Sequence, residues 1–165
     1  MQLFTAARDQ LNIVRDIALV TWPEAYKEIL SLEQLQYMLN LFYSIPSLQE
    51  QFDSGHRFRI CTIDDRPAGF SSVSSKEDEP SILRLNKLYV DPSIQGRGAG
   101  RFLLEDVKQF AAAENFRTVE LNVNRNNRAQ TFYKRQGFSV SHEVDLPIGR
   151  GYFMNDYIMT WPVSS

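Results

Sequence analysis

Residues 95–101 read Gln-Gly-Arg-Gly-Ala-Gly-Arg, and three of the chain's eight glycines fall between positions 96 and 100. The segment separates an apolar stretch ending at Val90 from a helical pattern with Phe102, Leu103, Val107, Phe110 and Ala111 on one face. A tight strand-to-helix turn alone would call for one glycine. Three glycines gather several backbone N–H groups and the positive end of a helix in one small loop, and they let an anion approach the backbone closely. Arg97 and Arg101 add positive charge. The loop therefore suits a phosphate or pyrophosphate. A Walker A loop would close on Gly-Lys-Ser/Thr, where this one closes on Gly-Ala-Gly-Arg. A dinucleotide fingerprint, G-x-G-x-x-G/A, fails in either frame, since its third glycine would be Arg101 or Leu103. Glu120 stands about where a ribose-binding acid would, but the βαβ alternation is missing.

Composition narrows the class. At 165 residues, 43% hydrophobic and 23% charged, the chain supports one core, so a single domain over 1–165 is expected. No apolar run approaches the ~18 residues of a membrane span. The start, MQLFTAARDQ, has neither a basic cluster nor a long apolar stretch. No signal peptide is read there, and a cytoplasmic protein without membrane contact is expected. A net charge of -2 argues against a nucleic-acid partner. One cysteine, Cys61, excludes an internal disulfide, and one Cys with two His makes no zinc site of the usual type.

The apolar spacing predicts a short strand at 2–5 and a helix capped by Asp9, with Pro23 breaking it into a new turn or helix. It predicts a second helix from Ser31, whose partner Gln34 makes a capping-box pattern, and a shorter one over 47–53 stopped by Gly55. Strands follow at 56–63, 68–74 and 81–90, with a turn at 64–67. In the third of these, Leu83 and Leu85 are apolar at odd positions but Leu88 and Val90 at even ones. Either a β-bulge near Asn86–Lys87 adds a residue, or the strand is buried on both faces; bulges favour active-site edges. Beyond the 101–115 helix come a strand at 118–123, a helix capped by Asn126 and ended by Gly137, and a closing pair over 138–144 and 152–161.

Two blocks resemble the GCN5-related N-acetyltransferases. Gln95–Gly100 is similar to their Q/R-x-x-G-x-G/A loop, flanked by Leu88-Tyr89-Val90-Asp91-Pro92 and Arg101-Phe102-Leu103-Leu104. Asn126 to Phe138 is similar to their N-x-x-A-x-x-x-Y-x-x-x-G-F segment. The resemblance implies a mixed, strongly twisted sheet of about seven strands flanked by helices, with acetyl-CoA as cosubstrate and no metal. It implies that the backbone of Leu88, Tyr89 and Val90 pairs with the pantetheine arm and that the Val90 amide polarises the thioester carbonyl. Gln95, Gly96, Arg97, Gly98, Ala99, Gly100 and Arg101 would hold the pyrophosphate. Asn126 would contact the pantetheine or cap its helix. Tyr133 would protonate the departing thiolate. The chemistry asks for such groups: an N–H preorganised at the developing oxyanion and a phenol near the sulfur.

The pattern departs at the base. Many family members place a glutamate before the bulge, where this chain has Arg84 and Asn86. Glu120 on the adjacent strand is the best replacement, with Asp156 as a possible partner carboxylate and His142 a weak third. Otherwise the amine binds in its minor neutral form. Between Trp22 and Gly55 five acids face one lysine, a net -4 against +2 for the rest. Such a segment would either attract a cationic amine or form solvated helix faces. The Trp22–Leu41 stretch and the ending Gly149 to Met159 resemble, more loosely, the PaiA-type members linked to spermidine and spermine acetylation. The resemblance therefore implies transfer to a small cationic amine. A protein or peptide acetyltransferase and a regulatory acyl-CoA binder without turnover are the rivals, and a homodimer is an expectation by family analogy.

Overall fold

The computed structural model describes residues 1 to 164; Ser165, the last residue of the expected domain, lies outside them. Strands β1 (Gln2–Thr5), β2 (Arg57–Ile63), β3 (Arg66–Ser75), β4 (Ile82–Val90), β5 (Thr118–Asn124), β6 (Ser139–Gly149) and β7 (Tyr152–Pro162) form one seven-stranded sheet in the order β1-β2-β3-β4-β5-β7-β6. Helices α1 (Leu11–Tyr26), α2 (Leu32–Tyr43) and α3 (Ile45–Asp53) follow β1, α4 (Ala99–Ala113) follows β4, and α5 (Ala129–Arg135) follows β5. The sheet is mixed: β4 runs parallel to β5, while β1–β2, β2–β3, β5–β7 and β6–β7 are antiparallel. The expected fold is thus the observed one.

The chain divides into two compact units, one of Met1–Ser74 with Asn86–Val107, the other of Ser75–Leu85 with the chain from Lys108 onward. In the first unit, Asp64 and Asp65 both take positive φ, the geometry that turns β2 into β3 through a two-residue hairpin. Arg59 on β2 forks onto Asp106 of α4 at 2.8 and 3.0 Å, with both side chains 17% exposed. Such a bidentate, half-desolvated pair fixes the helix against the strand better than a surface pair would. In the second unit, Val119, Leu121 and Val123 alternate inward on β5, and Ile158 and Met159 are buried on β7. Phe138 packs between Tyr133 and Trp161, and the Lys108 ammonium lies over the Trp161 ring while donating to the Gln136 carbonyl. β6 ends the sheet. Its side chains are largely exposed, and it carries Glu143, Asp145 and Pro147, with Arg125 bridging the two acids.

Three local expectations change. Pro23 does not interrupt α1, which runs through it to Tyr26. The carbonyl that loses its partner belongs to Leu19, an exposed residue, so water can satisfy it. Asp9 caps nothing; Arg8–Gln10 is a 3-10 turn, and the Gln10 side chain accepts from the Ala7 N–H. Asn126 is not the cap of α5 either. Asn127 accepts from Ala129 N–H at 2.9 Å, and Asn126 donates its own N–H to Asn124. Ser31, by contrast, caps α2 through Gln34 as its spacing predicts.

Candidate functional site

The first unit carries the loop. Gly96 and Gly98 both sit at φ +85, the left-handed region where a side chain would be strained. Helix α4 begins at Ala99, so Gly100 and Arg101 belong to its first turn and not to the loop. Gln95 through Gly98 and Arg101 are exposed. Arg97 lies 3.9 Å from the exposed Asp64, too far to fix its guanidinium. Exposed backbone, left-handed glycines and a fresh helix N-terminus thus stand together in this segment, the features that a phosphate-binding loop needs.

The end of β4 is tied to that helix start. Leu88 and Val90 pack on an apolar cluster of Cys61, Ile63, Ala68, Ala99 and Leu103. Gly69 on β3 makes the approach possible. A Cβ there would meet the Tyr89 carbonyl oxygen at 2.7 Å, and Leu103 and Val90 methyls at 3.2 Å. The sequence reading passed over Gly69, although a lone glycine inside a strand is the usual mark of a close backbone approach.

The opposite face of β4 shows the bulge. Phe70, Ser72 and Ser74 alternate onto one side of β3. Asn86 donates to Ser74 Oγ at 2.9 Å and lies 3.4 Å from His56 Nδ1. The next residue, Lys87, places its ammonium 5.3 Å from the centre of the Tyr43 ring, which itself packs edge-on to Phe70, and donates to Gln51 at 2.8 Å. Consecutive residues thus reach partners on the same face, which a regular strand forbids. Tyr89 follows on that face, its hydroxyl 3.0 Å from that of Tyr26 and its ring beside Trp22 and Phe70.

This face is aromatic and polar at once. Among the described residues the Ser72 hydroxyl is buried without a hydrogen-bond partner. Water or a bound molecule would satisfy it. Burial pushes the Tyr43 hydroxyl pKa well above the phenol range. It pulls the Lys87 ammonium down to about 8, and burial together with Lys87 lowers His56. The acids of the 22–55 segment do not line this face. Glu24, Glu28, Glu33, Glu50 and Asp53 are all exposed, Glu24 pairing with Lys27 and Asp53 with Arg8.

The second unit holds the acids. Glu120, the expected base, is 6% exposed and engaged twice: Arg84 donates to it at 2.6 Å and Lys76 lies at 3.5 Å. Arg84 also donates to Asn122 Oδ1 at 2.6 Å, and Asn122 Nδ2 donates to Asp156 Oδ2 at 3.3 Å. The strand registers explain the row. Arg84 stands opposite Glu120, and Asn124 opposite Asp156, so β4, β5 and β7 turn these side chains to one face. Tyr133 is 8% exposed on α5, between the rings of Phe132 and Phe138. Asn126 is exposed, and so is His142, whose ring meets Ser141.

A family model described as an acetyltransferase (GNAT) domain matches residues 27–146. Among curated proteins, the uncharacterized N-acetyltransferase MJ1207 of Methanocaldococcus jannaschii is 33% identical over 92 residues, 53% of this chain and 41% of that protein. The peptidyl-lysine N-acetyltransferase YjaB of Escherichia coli is 34% identical over 91 residues, 53% of each. The chain thus spans about half the length of the curated relatives it matches. Among solved structures, the PaiA N-acetyltransferase of Thermoplasma acidophilum in complex with coenzyme A superposes at a TM-score of 0.80 with 21% identity, over 98% of this chain and 99% of that one. The ribosomal-protein-S18-alanine N-acetyltransferase of Escherichia coli superposes at 0.74 with 18% identity, over 99% and 94%. These two likenesses concern the fold.

Proposed function

The chain belongs to the GNAT acetyltransferase family, and from that premise we propose that it transfers the acetyl group of acetyl-CoA to a primary amine, specifically a small cationic amine of the polyamine kind. The observation that carries acetyl-CoA binding is the loop of two left-handed glycines ahead of α4, exposed and flanked by Arg97 and Arg101. Residues 95–101 hold the pyrophosphate. The backbone of Leu88, Tyr89 and Val90 receives the pantetheine, with the Val90 amide on the thioester oxygen, and Asn126 borders it. Tyr133 gives its proton to the departing thiolate. In this reading the chain from 1 to 165 acts as one catalytic domain.

The looser resemblance of the Trp22–Leu41 stretch and the Gly149–Met159 ending to PaiA-type members favours the polyamine acceptor, and the PaiA structure shares the fold over nearly the whole chain. The second reading, a peptidyl-lysine acceptor, has the YjaB relationship in its favour. Coenzyme A thiol release decides between them, measured with spermidine, lysine peptides and N-terminal peptides as acceptors. Spermidine-dependent release is the expected result, falling about 100-fold in Tyr133→Phe. Release with lysine peptides alone would refute the polyamine acceptor. Equal rates in the variant would remove Tyr133 from the mechanism, and silence across the panel would favour a regulatory acyl-CoA binder.

A further inference from the structure

Lys87 stands at the bulge of β4, half-buried, with three N–H donors on its ammonium. Among the described residues Gln51 of α3 accepts from it at 2.8 Å, and the Tyr43 ring of α2 lies 5.3 Å away. No carboxylate pairs with it. The acids flanking Gln51, Glu50 and Asp53, are exposed, and Asp53 is held by Arg8. Burial lowers the Lys87 pKa with no acid to offset it. Ser72 of β3 stands beside this ammonium. On its face of β3, Ser74 accepts from Asn86 and Phe70 packs on Tyr89, while Leu88 turns to the opposite face. Lys87 is the β4 residue left between them, level with Ser72. The Ser72 hydroxyl is wholly buried and has no partner. A cation without a counter-ion and a hydroxyl without a hydrogen bond thus share one spot, and each is costly to bury as it stands. Gln51, His56, Ser74 and Asn86 around them are half-buried, so the cluster reaches solvent. All of these residues belong to the first unit.

We propose that Lys87 and Ser72 form a binding site for a small carboxylate, bordered by Asn86 and His56. One carboxylate oxygen takes the ammonium donors that Gln51 leaves, and the other takes the Ser72 hydroxyl. The charge of the cluster selects the ligand. Burial and the Lys87 charge both disfavour the protonated form of His56, so Lys87 is the one cation of the group. A monoanion is neutralised by that single charge. A phosphate dianion would carry an excess charge into half-buried surroundings, and no arginine fork stands among these residues to hold it. The ammonium that repels other cations also keeps a cationic amine away, so this ligand is a second one, distinct from the acceptor proposed above. The inference goes beyond the acetyltransferase reading and does not depend on it.

The test titrates the Lys87 side chain of the full chain by ¹³C NMR, with propionate and with n-propylamine, probes of similar size and opposite charge. Propionate should raise the Lys87 midpoint by about one pH unit, since a bound carboxylate favours the ammonium form, and n-propylamine should leave it in place. Ser72→Ala removes an unpartnered hydroxyl and so should fold as well as wild type, yet bind propionate about three- to tenfold more weakly. Propionate should also move the ring resonances of His56, and that response should vanish in Lys87→Met. No midpoint shift with propionate, an equal shift with n-propylamine, or unchanged propionate affinity in Ser72→Ala overturns the site. Inorganic phosphate that moves Lys87 at lower concentration than propionate overturns the choice of a carboxylate. None of these readouts uses turnover, so failure of this site and failure of the acetyltransferase reading are distinguishable.

Discussion

Gly69→Ala adds one methyl group at the most crowded point of the first unit. The new Cβ would stand 2.7 Å from the Tyr89 carbonyl oxygen, roughly 0.6 Å inside the ~3.3 Å at which carbon normally meets such an oxygen. That atom is backbone in the middle of a sheet, so no rotamer change relieves the contact. The 3.2 Å approaches to Leu103 and Val90 methyls each ask for a few tenths of an ångström more. Overpacking of this kind costs about 1–3 kcal/mol. Gly69 does not occupy the left-handed region, so alanine also removes unfolded-chain entropy and returns about 0.4–1 kcal/mol. The net expectation is a loss of about 1–2 kcal/mol, or a fall in Tm of about 2–8 °C for a chain this size. Calorimetry measures the loss. Isothermal titration with acetyl-CoA measures its second effect, weaker binding as β4 is pushed away at Tyr89 and Val90. A variant as stable as wild type with unchanged acetyl-CoA affinity would show that the strands do not approach this closely and that Gly69 does not shape the site.

Two further predictions concern charge. Lys87 titrates at about 8 in the folded chain, below its unfolded value, so between about pH 8 and pH 10.4 the unfolded chain binds more protons and stability rises with pH. Lys87→Met should be more stable than wild type at pH 7, on the order of 1–2 kcal/mol after allowance for partial solvent contact, and flat across that window in urea titrations. In the same variant His56 should titrate higher by NMR, since Lys87 helps to lower it. For the Arg84–Glu120 pair, Arg84→Met should cost about 1–3 kcal/mol by leaving the buried Glu120 carboxylate only its longer contact with Lys76, and the double variant with Glu120→Leu should cost less than that single change. Additive losses in the cycle would show that the two are not coupled.

The sequence made the frame legible wherever one rule acted alone. The glycine loop, the Ser31 cap and the Gly137 stop follow from local backbone preferences, and the structure keeps them; the turn read at 64–67 is the shorter Asp64–Asp65, with Arg66 and Pro67 already in β3. The fault in the alternation of 81–90 also carried its message, because a period of two cannot absorb an extra residue. Pro23 misled because its cost depends on which carbonyl loses a partner, and Leu19 happens to face water. The acids of the site were visible as residue types, but their availability was not. Whether Glu120 is free depends on Arg84 standing opposite it, which is a matter of register between strands 36 residues apart. Gly69 and Lys87 were equally hidden, since their meaning comes from neighbours distant in the chain.

β6 has a neighbour on one side only, and such a strand is a ready template for another chain. Here the rim is guarded: Glu143 and Asp145 place like charges along it, Arg125 holds them in place, and Pro147 withholds an amide. Resistance of this edge to pairing during expression and refolding therefore rests on side chains far in sequence from the glycine loop. Surface engineering that neutralises Glu143 and Asp145 should favour edge-to-edge aggregation, and through Asp145 and Arg125 it would also alter the field at the buried Asp156.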